Sequence, residues 1–446
     1  MANFELTYDK SLLKQISTNV LERSLSLGVS SSYVVISENI HTNVDVLNND
    51  IENFENSYNS SLELVVYVGQ KSGHVVTSQI EHPDIDGLIQ NAIDIAKFTQ
   101  EDNANGIAET KFLCQNFHEN LELYNPIDLD NEYLIQKAQD IENLAINFDK
   151  KVKKSDGSSI SLNKSNFNIA TTNGFNAGYQ TTRYGNSISL IGETPDGMQT
   201  DYWYSSARHF EDLLSDHTLA EKASKRVARR LNRGHIKTGT YSVIFENVVA
   251  KSLIGNFLHA ISGNTLYRKL SFLNNSLNTK IFPSWLNIYE DPFIIRGLSS
   301  CYFDNEGVMV KPRSIVKEGF VTSYVLSSYS ARKLNMTTTG NSGGNHNILV
   351  KSNYAGGITE MAKLIHSGLI IIDTIGHGLN MVTGDYSVGA SGLIVENGEI
   401  QSFVDNLTIA GNLKEIFKNI QYIGNDYIQG SIQCGSMLVN NISIST

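Results

Sequence analysis

Residues 248–261 have helical length and are apolar on nearly every side, with Val248, Val249, Leu253, Ile254, Phe257, Leu258 and Ile261 distributed around the axis. A helix of that kind cannot lie on a surface and must be buried, so the fold has to be built around it. A strand at 240–245 leads into it. After residue 276 the chain alternates strands with glycine turns, including an Asn397-Gly398 hairpin signal within 392–403. One further helix at 358–366 precedes the apolar strand 369–372. The C-terminal half therefore reads as a β-rich domain with a few buried helices.

The N-terminal half is organised differently. At residues 9–27, Leu13, Ile16, Val20 and Leu27 recur at helical spacing, and Gly28 stands where a left-handed cap belongs. Period-two segments follow at 33–38, 41–47 and 62–68, then a strand at 74–77 and a helix at 86–98 with a broad apolar stripe. That pattern predicts a sheet with helices on one face. Residues 100–127 are polar and irregular. A helix at 130–147 precedes a strand meander at 158–206, punctuated by Asn173-Gly174 and Asp196-Gly197, and a helix follows at 219–231. The fold class is α+β: an N-terminal α/β layer domain over 1–125, a helix plus β-meander region over 126–235, and a larger β-rich domain over 236–446.

With 446 residues the chain has room for two or three domains. Its 35 Lys and Arg against 46 Asp and Glu give a formal charge of −11, which argues against nucleic acid as a partner. Three cysteines, Cys114, Cys301 and Cys434, are odd in number and widely spaced, so no disulfide framework is expected. Met1-Ala2-Asn3-Phe4-Glu5 shows no signal-peptide pattern, and no apolar run approaches membrane-spanning length. These features predict a soluble cytoplasmic protein with reduced thiols and no membrane partner.

Few motifs carry chemistry outright. A zincin needs two histidines one helical turn apart with a glutamate beside the first. The chain's His-Glu pair, His118-Glu119, has no following histidine within reach and reads as a solvated linker pair. Gly340-Asn341-Ser342-Gly343-Gly344 fits G-x-S-x-G, but loop flanks it on both sides where a nucleophile elbow needs a strand and a helix. Ser330-Ala331-Arg332-Lys333 fits S-x-x-K without its companion motifs. His259 on the apolar helix reads as a core or interface histidine. With Cys434 and His366 or His377 it makes a weakly constrained soft-ligand set for zinc. The basic run from Lys222 to Lys237 reads as a solvated or protein-contact face. The glycine-dense segment 384–392 feeds a strand, which disfavours a phosphate cradle and favours close approach of two backbones or of an extended peptide.

Several longer segments resemble the PmbA branch of the PmbA/TldD proteins. They are Ser262-Gly263-Asn264-Thr265-Leu266-Tyr267-Arg268-Lys269, Ser327-Ser328-Tyr329-Ser330-Ala331-Arg332-Lys333-Leu334, and Val382-Thr383-Gly384-Asp385-Tyr386-Ser387. Thr408-Ile409-Ala410-Gly411-Asn412-Leu413 and Ile432-Gln433-Cys434-Gly435-Ser436 complete the set, and the likeness in layout covers nearly the whole chain. The resemblance implies a metalloprotease family formerly described as modulators of DNA gyrase. Its members work as a pair, in which a TldD-like chain carries a His-Glu-x-x-x-His zinc motif and the PmbA-like chain does not. The implied substrates are unfolded peptides and small proteins, including peptide-antibiotic precursors and antitoxins.

By that resemblance the zinc helix falls on residues 251–263. His259 takes the place of the second histidine, Ile254 and Gly255 replace the first histidine and the glutamate, and Cys434 takes the third ligand position. Neither Ile254 nor Gly255 can bind zinc or accept a proton. The expectation is a peptide-hydrolase subunit with no catalytic or cofactor-binding residues of its own, with zinc held by a TldD-like partner in a heterodimer. His259 and Cys434 are the remaining metal candidates, and a homodimer is the alternative assembly. Gly343, Gly344, Gly384 and Gly389 are the candidate peptide contacts, offering backbone to an extended peptide. Two other readings stand beside this one: an independent metallohydrolase using His259 and Cys434 with His366 or His377, and a non-enzymatic interaction or regulatory protein.

Overall fold

The computed structural model describes residues 5–80, 84–195 and 197–446. The first two sections of the chain share one six-stranded antiparallel sheet, ordered β3-β2-β1-β4-β5-β6. Its strands are β1 (Ser31–Leu47), β2 (Asp50–Val68), β3 (Lys71–Thr77), β4 (Val152–Thr171), β5 (Asn176–Thr194) and β6 (Gly197–Ala207). Periodicity reads β1 as two strands. The structure joins them because exposed Asn39 and buried Ile40 carry the alternation through the gap. The meander is likewise an extension of the N-terminal sheet, since β1 pairs with β4 from Tyr33 opposite Thr171 to Val46 opposite Ser158. Gly174, with φ +99°, makes the turn between β4 and β5. Asp196 of the second turn signal, and Met1 to Phe4, lie outside the described residues.

The even-numbered side chains of β1 face four helices: α1 (Lys10–Ser26), α2 (Ile85–Phe98), α3 (Asn131–Ile146) and α4 (Asp216–Arg229). Val34 and Ile36 pack with α1 and α2, and Val44 and Val46 with α3 and α4. Each such fully buried side chain stabilises the layer by about 1.5–3 kcal/mol. Local sequence sets the helix ends. Asp9 Oδ1 accepts from Leu12 N at 2.7 Å and Asp130 Oδ1 from Tyr133 N at 2.6 Å, while Gly28 adopts φ +85° after α1.

The apolar helix α5 (Asn247–Ala260) is enclosed by the C-terminal domain. One sheet has the order β10-β9-β8-β11-β16, from β8 (Ile288–Asp291), β9 (Arg313–Lys317), β10 (Phe320–Val321), β11 (Asn347–Val350) and β16 (Ile432–Gln433). The other is ordered β14-β13-β12-β7-β17-β15, with β7 (Gly239–Phe245), β12 (Ser367–Ile375), β13 (Asp385–Glu396), β14 (Glu399–Asn412), β15 (Ile420–Ile423) and β17 (Met437–Ser445). A further pairing of β17 with β14 closes this sheet on itself. Leu253, Ile254, Phe257 and Leu258 of α5 share one core with side chains of both sheets. The helix expected over 358–366 is confined to Ile358–Ala362, and buried Ile365 and Gly368 carry the chain straight into β12. Asn397 and Gly398, with φ 53° and 80°, make the β13–β14 turn as the sequence predicts.

Candidate functional site

Helix α5 enters its domain through Glu246, the residue before its first turn. The Glu246 carboxylate accepts from Arg226 Nη1 at 2.8 Å and from Arg229 Nη1 and Nη2 at 2.8 and 2.9 Å. Asp201 of β6 takes Arg226 Nε at 3.0 Å and Arg230 Nε at 2.6 Å. Burial alone would raise both carboxyls, and the facing guanidiniums outweigh it and hold them below the ordinary range. The basic run is therefore only partly a solvated face: Arg226, Arg229 and Arg230 are drawn inward, because acids distant in sequence meet them there. The network welds α4 to the start of α5 and leaves no phosphate site in those arginines.

Along α5, Ile254 is completely buried in the domain core. Gly255 faces the β16 segment, where a Cβ on it would stand 3.9 Å from Ile432 Cδ1. One turn on, His259 is exposed. Cys434, two residues after Ile432, has no exposed surface, and its thiol donates to Gly435 O at 3.3 Å. Burial pushes that thiol up, with Asp426 adding to the effect. The fold thus brings the β16 segment against the middle of α5. His366 and His377, on either side of β12, are both exposed. Among the described residues no three His, Cys, Asp or Glu side chains are grouped so as to hold a metal ion. A donor set of one exposed imidazole and one buried thiol, with Ile254 and Gly255 between, does not fit a catalytic zinc, which takes three protein ligands.

The four glycines proposed for peptide contact occupy different settings. Gly389 lies inside β13, between Ile375 and Thr408 of the neighbouring strands. Gly384 donates to Asn380 O and accepts from Leu413 N, both at 2.8 Å. Gly344 donates to Asn341 O at 3.1 Å and its carbonyl accepts from Asn341 Nδ2 at 3.0 Å. Gly343 is exposed with φ +100° beside the Asn305 side chain.

A second polar cluster sits under the Gly340–Gly344 loop. Buried Glu290 accepts from Arg313 Nε at 2.6 Å, Asn341 Nδ2 at 2.8 Å and His346 N at 2.8 Å. Arg313 outweighs the effect of burial and keeps that carboxyl below its ordinary range. The His346 ring, held neutral by burial, lies 3.9 Å from Cys301 Sγ through Nε2. Burial, then the charges of Asp304 and Glu290, push the Cys301 thiol up to about 12, so this Cys-His pair has no thiolate to attack with. Ser342 has its backbone N on Asp304 Oδ2 at 2.9 Å. Ser330 completes a capping box with Ser327 on the helix Ser328–Lys333, whose Lys333 pairs with Asp102 at 2.7 Å. Both serine motifs are structural. His118 stacks on Phe293 with centroids 4.3 Å apart. Sequence reasoning missed the Glu290 cluster because its members come from four separate segments and share no spacing.

The fold has close counterparts among solved structures. It superposes with TM-score 0.90 on a protein of Bacteroides thetaiotaomicron described as a candidate modulator of DNA gyrase, at 24% identity over 97% of this chain and 98% of that one. It superposes with TM-score 0.85 on TldE of Thermococcus kodakarensis, at 18% identity over 97% and 100%. The three-part architecture is that of a metallopeptidase family: its domain 1, central domain and C-terminal domain profiles match residues 33–96, 124–231 and 238–446. The chain belongs to the PmbA/TldA metallopeptidase family, and within it is of PmbA type. It is 37% identical to a metalloprotease PmbA homolog of Haemophilus influenzae over 97% of this chain and 96% of that protein. It is 34% identical to metalloprotease PmbA of Escherichia coli O157:H7 over 98% and 96%.

Proposed function

We propose that this chain is the zinc-free subunit of a cytoplasmic metalloprotease that processes or degrades unfolded peptides and small proteins. Its partner is a TldD-like chain that supplies the zinc and the general base. The observation that carries the reading is the chemistry at α5: Ile254 is sealed in the core, Gly255 has no side chain, and Cys434 is fully buried. A chain with that donor set polarises no water, while its relatives are named metalloproteases. The residues left to this subunit are those that shape a peptide-binding surface.

The test is reconstitution. Purified alone, the chain is expected to hold far less than stoichiometric zinc by metal analysis and to leave an unfolded peptide intact. Mixed with a TldD-like chain, it should elute as a heterodimer and cleave the peptide. His259→Ala and Cys434→Ala should leave the zinc content of the lone chain unchanged. Chelator-sensitive proteolysis by the lone chain at full zinc occupancy would overturn the reading.

A further inference from the structure

The odd-numbered face of the N-terminal sheet, opposite α1 and α2, lines a cavity of about 640 Å³ whose other wall carries Asn305, Glu306 and Ser342 of the C-terminal domain. Val35, Phe167 and Ile169 give it apolar surface, Tyr33 and Tyr67 stand over it, and Glu63 and Glu306 are its two carboxylates. Among the described residues no Lys, Arg or His side chain lines it.

Two cations stand at the cavity's edge and are already engaged, and the charge of Arg332 works on the Tyr67 phenol against burial and Glu306. Arg332 donates to the carbonyls of Ala104, Gly106 and Ile107 and pairs with Glu109 at 3.2 Å. His74, more than half exposed and on the same face of the sheet, touches Glu63 at 3.1 Å. Glu63 also accepts from Tyr33 Oη at 3.3 Å, and Glu306 Oε2 from Ser328 N at 2.9 Å. The negative field is felt by the neighbours. Burial and then Glu63 raise the Tyr33 phenol, and burial and then Glu306 push Asp304 up to about 7.

Such a cavity repels phosphates and carboxylates and suits an organic cation. Its apolar and aromatic side chains suit a methylene stem, and its carboxylates suit the charged head. The volume is in the range of small-ligand sites and exceeds the needs of one side chain. Gly343 ties the rim to the peptide question, because the Asn305 side chain lies 2.6 Å from where its Cβ would be.

We propose that this cavity binds the lysine or arginine side chain of an extended peptide, making basic unfolded segments the preferred substrates of the complex. The inference rests on the reading of this chain as a peptide-handling subunit and names that subunit's contribution to selectivity.

The test measures binding by the lone full-length chain, so it does not depend on hydrolysis. A fluorescein-labelled unstructured peptide with central Lys and Arg is compared by anisotropy with the same peptide carrying norleucine and citrulline. The basic peptide is expected to bind about tenfold more tightly, and Glu63→Gln and Glu306→Gln should each remove about three- to tenfold of that preference. Glu399→Gln, at an exposed position on β14, should change nothing, and thermal melts identify any variant that fails to fold. Equal binding of the two peptides, or a preference untouched in both cavity variants, overturns the inference. Displacement by spermidine at concentrations as low as those of the peptide would assign the site to free polyamines and overturn it as well. Cleavage by the reconstituted pair without a basic preference refutes this inference alone. Selective binding without any cleavage by the pair refutes the proposed function alone.

Discussion

Replacing Glu246 by alanine should cost the protein about 3–5 kcal/mol, the usual consequence of leaving buried charges without their partner. The side chain is 10% exposed and accepts three charge-assisted hydrogen bonds from Arg226 and Arg229. Arg226 keeps Asp201, but Arg229 has no other ion-pair partner among the described residues. The loss is therefore concentrated where α4 meets α5. Trp203 reports on that junction, with Lys222 Nζ and the Arg226 guanidinium each 5.1 Å from its ring, while Trp285 packs against the C-terminal core. Guanidinium unfolding of single-tryptophan forms should show the Trp203 transition moving to lower denaturant than the Trp285 transition in Glu246→Ala. The pH dependence has a defined sign. The folded Glu246 carboxyl lies below its unfolded value of 4.5, so its stabilisation is present above pH 4.5 and lost as pH falls through the folded value. Wild type and Glu246→Gln should accordingly differ most near neutrality and converge in acid. A penalty under about 1 kcal/mol, with both tryptophans still unfolding together, would show that water reaches the network and that the weld between α4 and α5 is not energetically real.

Asp304 should behave in the opposite sense. Its folded value is raised to about 7 from 3.8, so the stability it contributes is full below pH 3.8 and disappears as pH rises through 7; denaturant melts of Asp304→Asn should show a flatter profile in that window than wild type. Gly73→Ala should lower the melting temperature severely, because the new Cβ would stand 1.8 Å from Ala92 O and lift α2 off β3; an unchanged melt would contradict that packing. The three thiols should react slowly with a disulfide reagent in the native state and fast in denaturant, since Cys434 and Cys114 are buried and the Cys301 thiol lies near 12. Rapid native labelling of Cys434 would mean that the seal over it opens.

The elements whose signals are local were legible in the sequence. Gly28 ends the first helix, Asn397-Gly398 turns a hairpin, and the all-apolar run becomes a helix enclosed by sheets. In each case the information sits within a few residues of where it acts. The resemblance carried by the Ser262–Lys269 and Ile432–Ser436 segments rests on identity alone and needed no geometry. The positions along α5 likewise stated their chemistry in advance, because no fold can give Ile254 or Gly255 a metal-binding atom.

Only the tertiary structure decided what those residues face. Alternation marked 33–38 and 41–47 as strands and 158–206 as a meander, but not that β1 and β4 pair and merge two apparent regions into one sheet. The charged run on α4 looked solvated, since nothing nearby in sequence shows that Asp201 and Glu246 reach into it. Cys434 became a sealed thiol, and Glu63 and Glu306 became the carboxylates of one cavity, through the meeting of segments far apart along the chain. Hydrogen bonding and periodicity are properties of neighbours in sequence and can be read there. Burial, ion pairing and cavity shape depend on which distant segments share a space, and only the packed chain determines that.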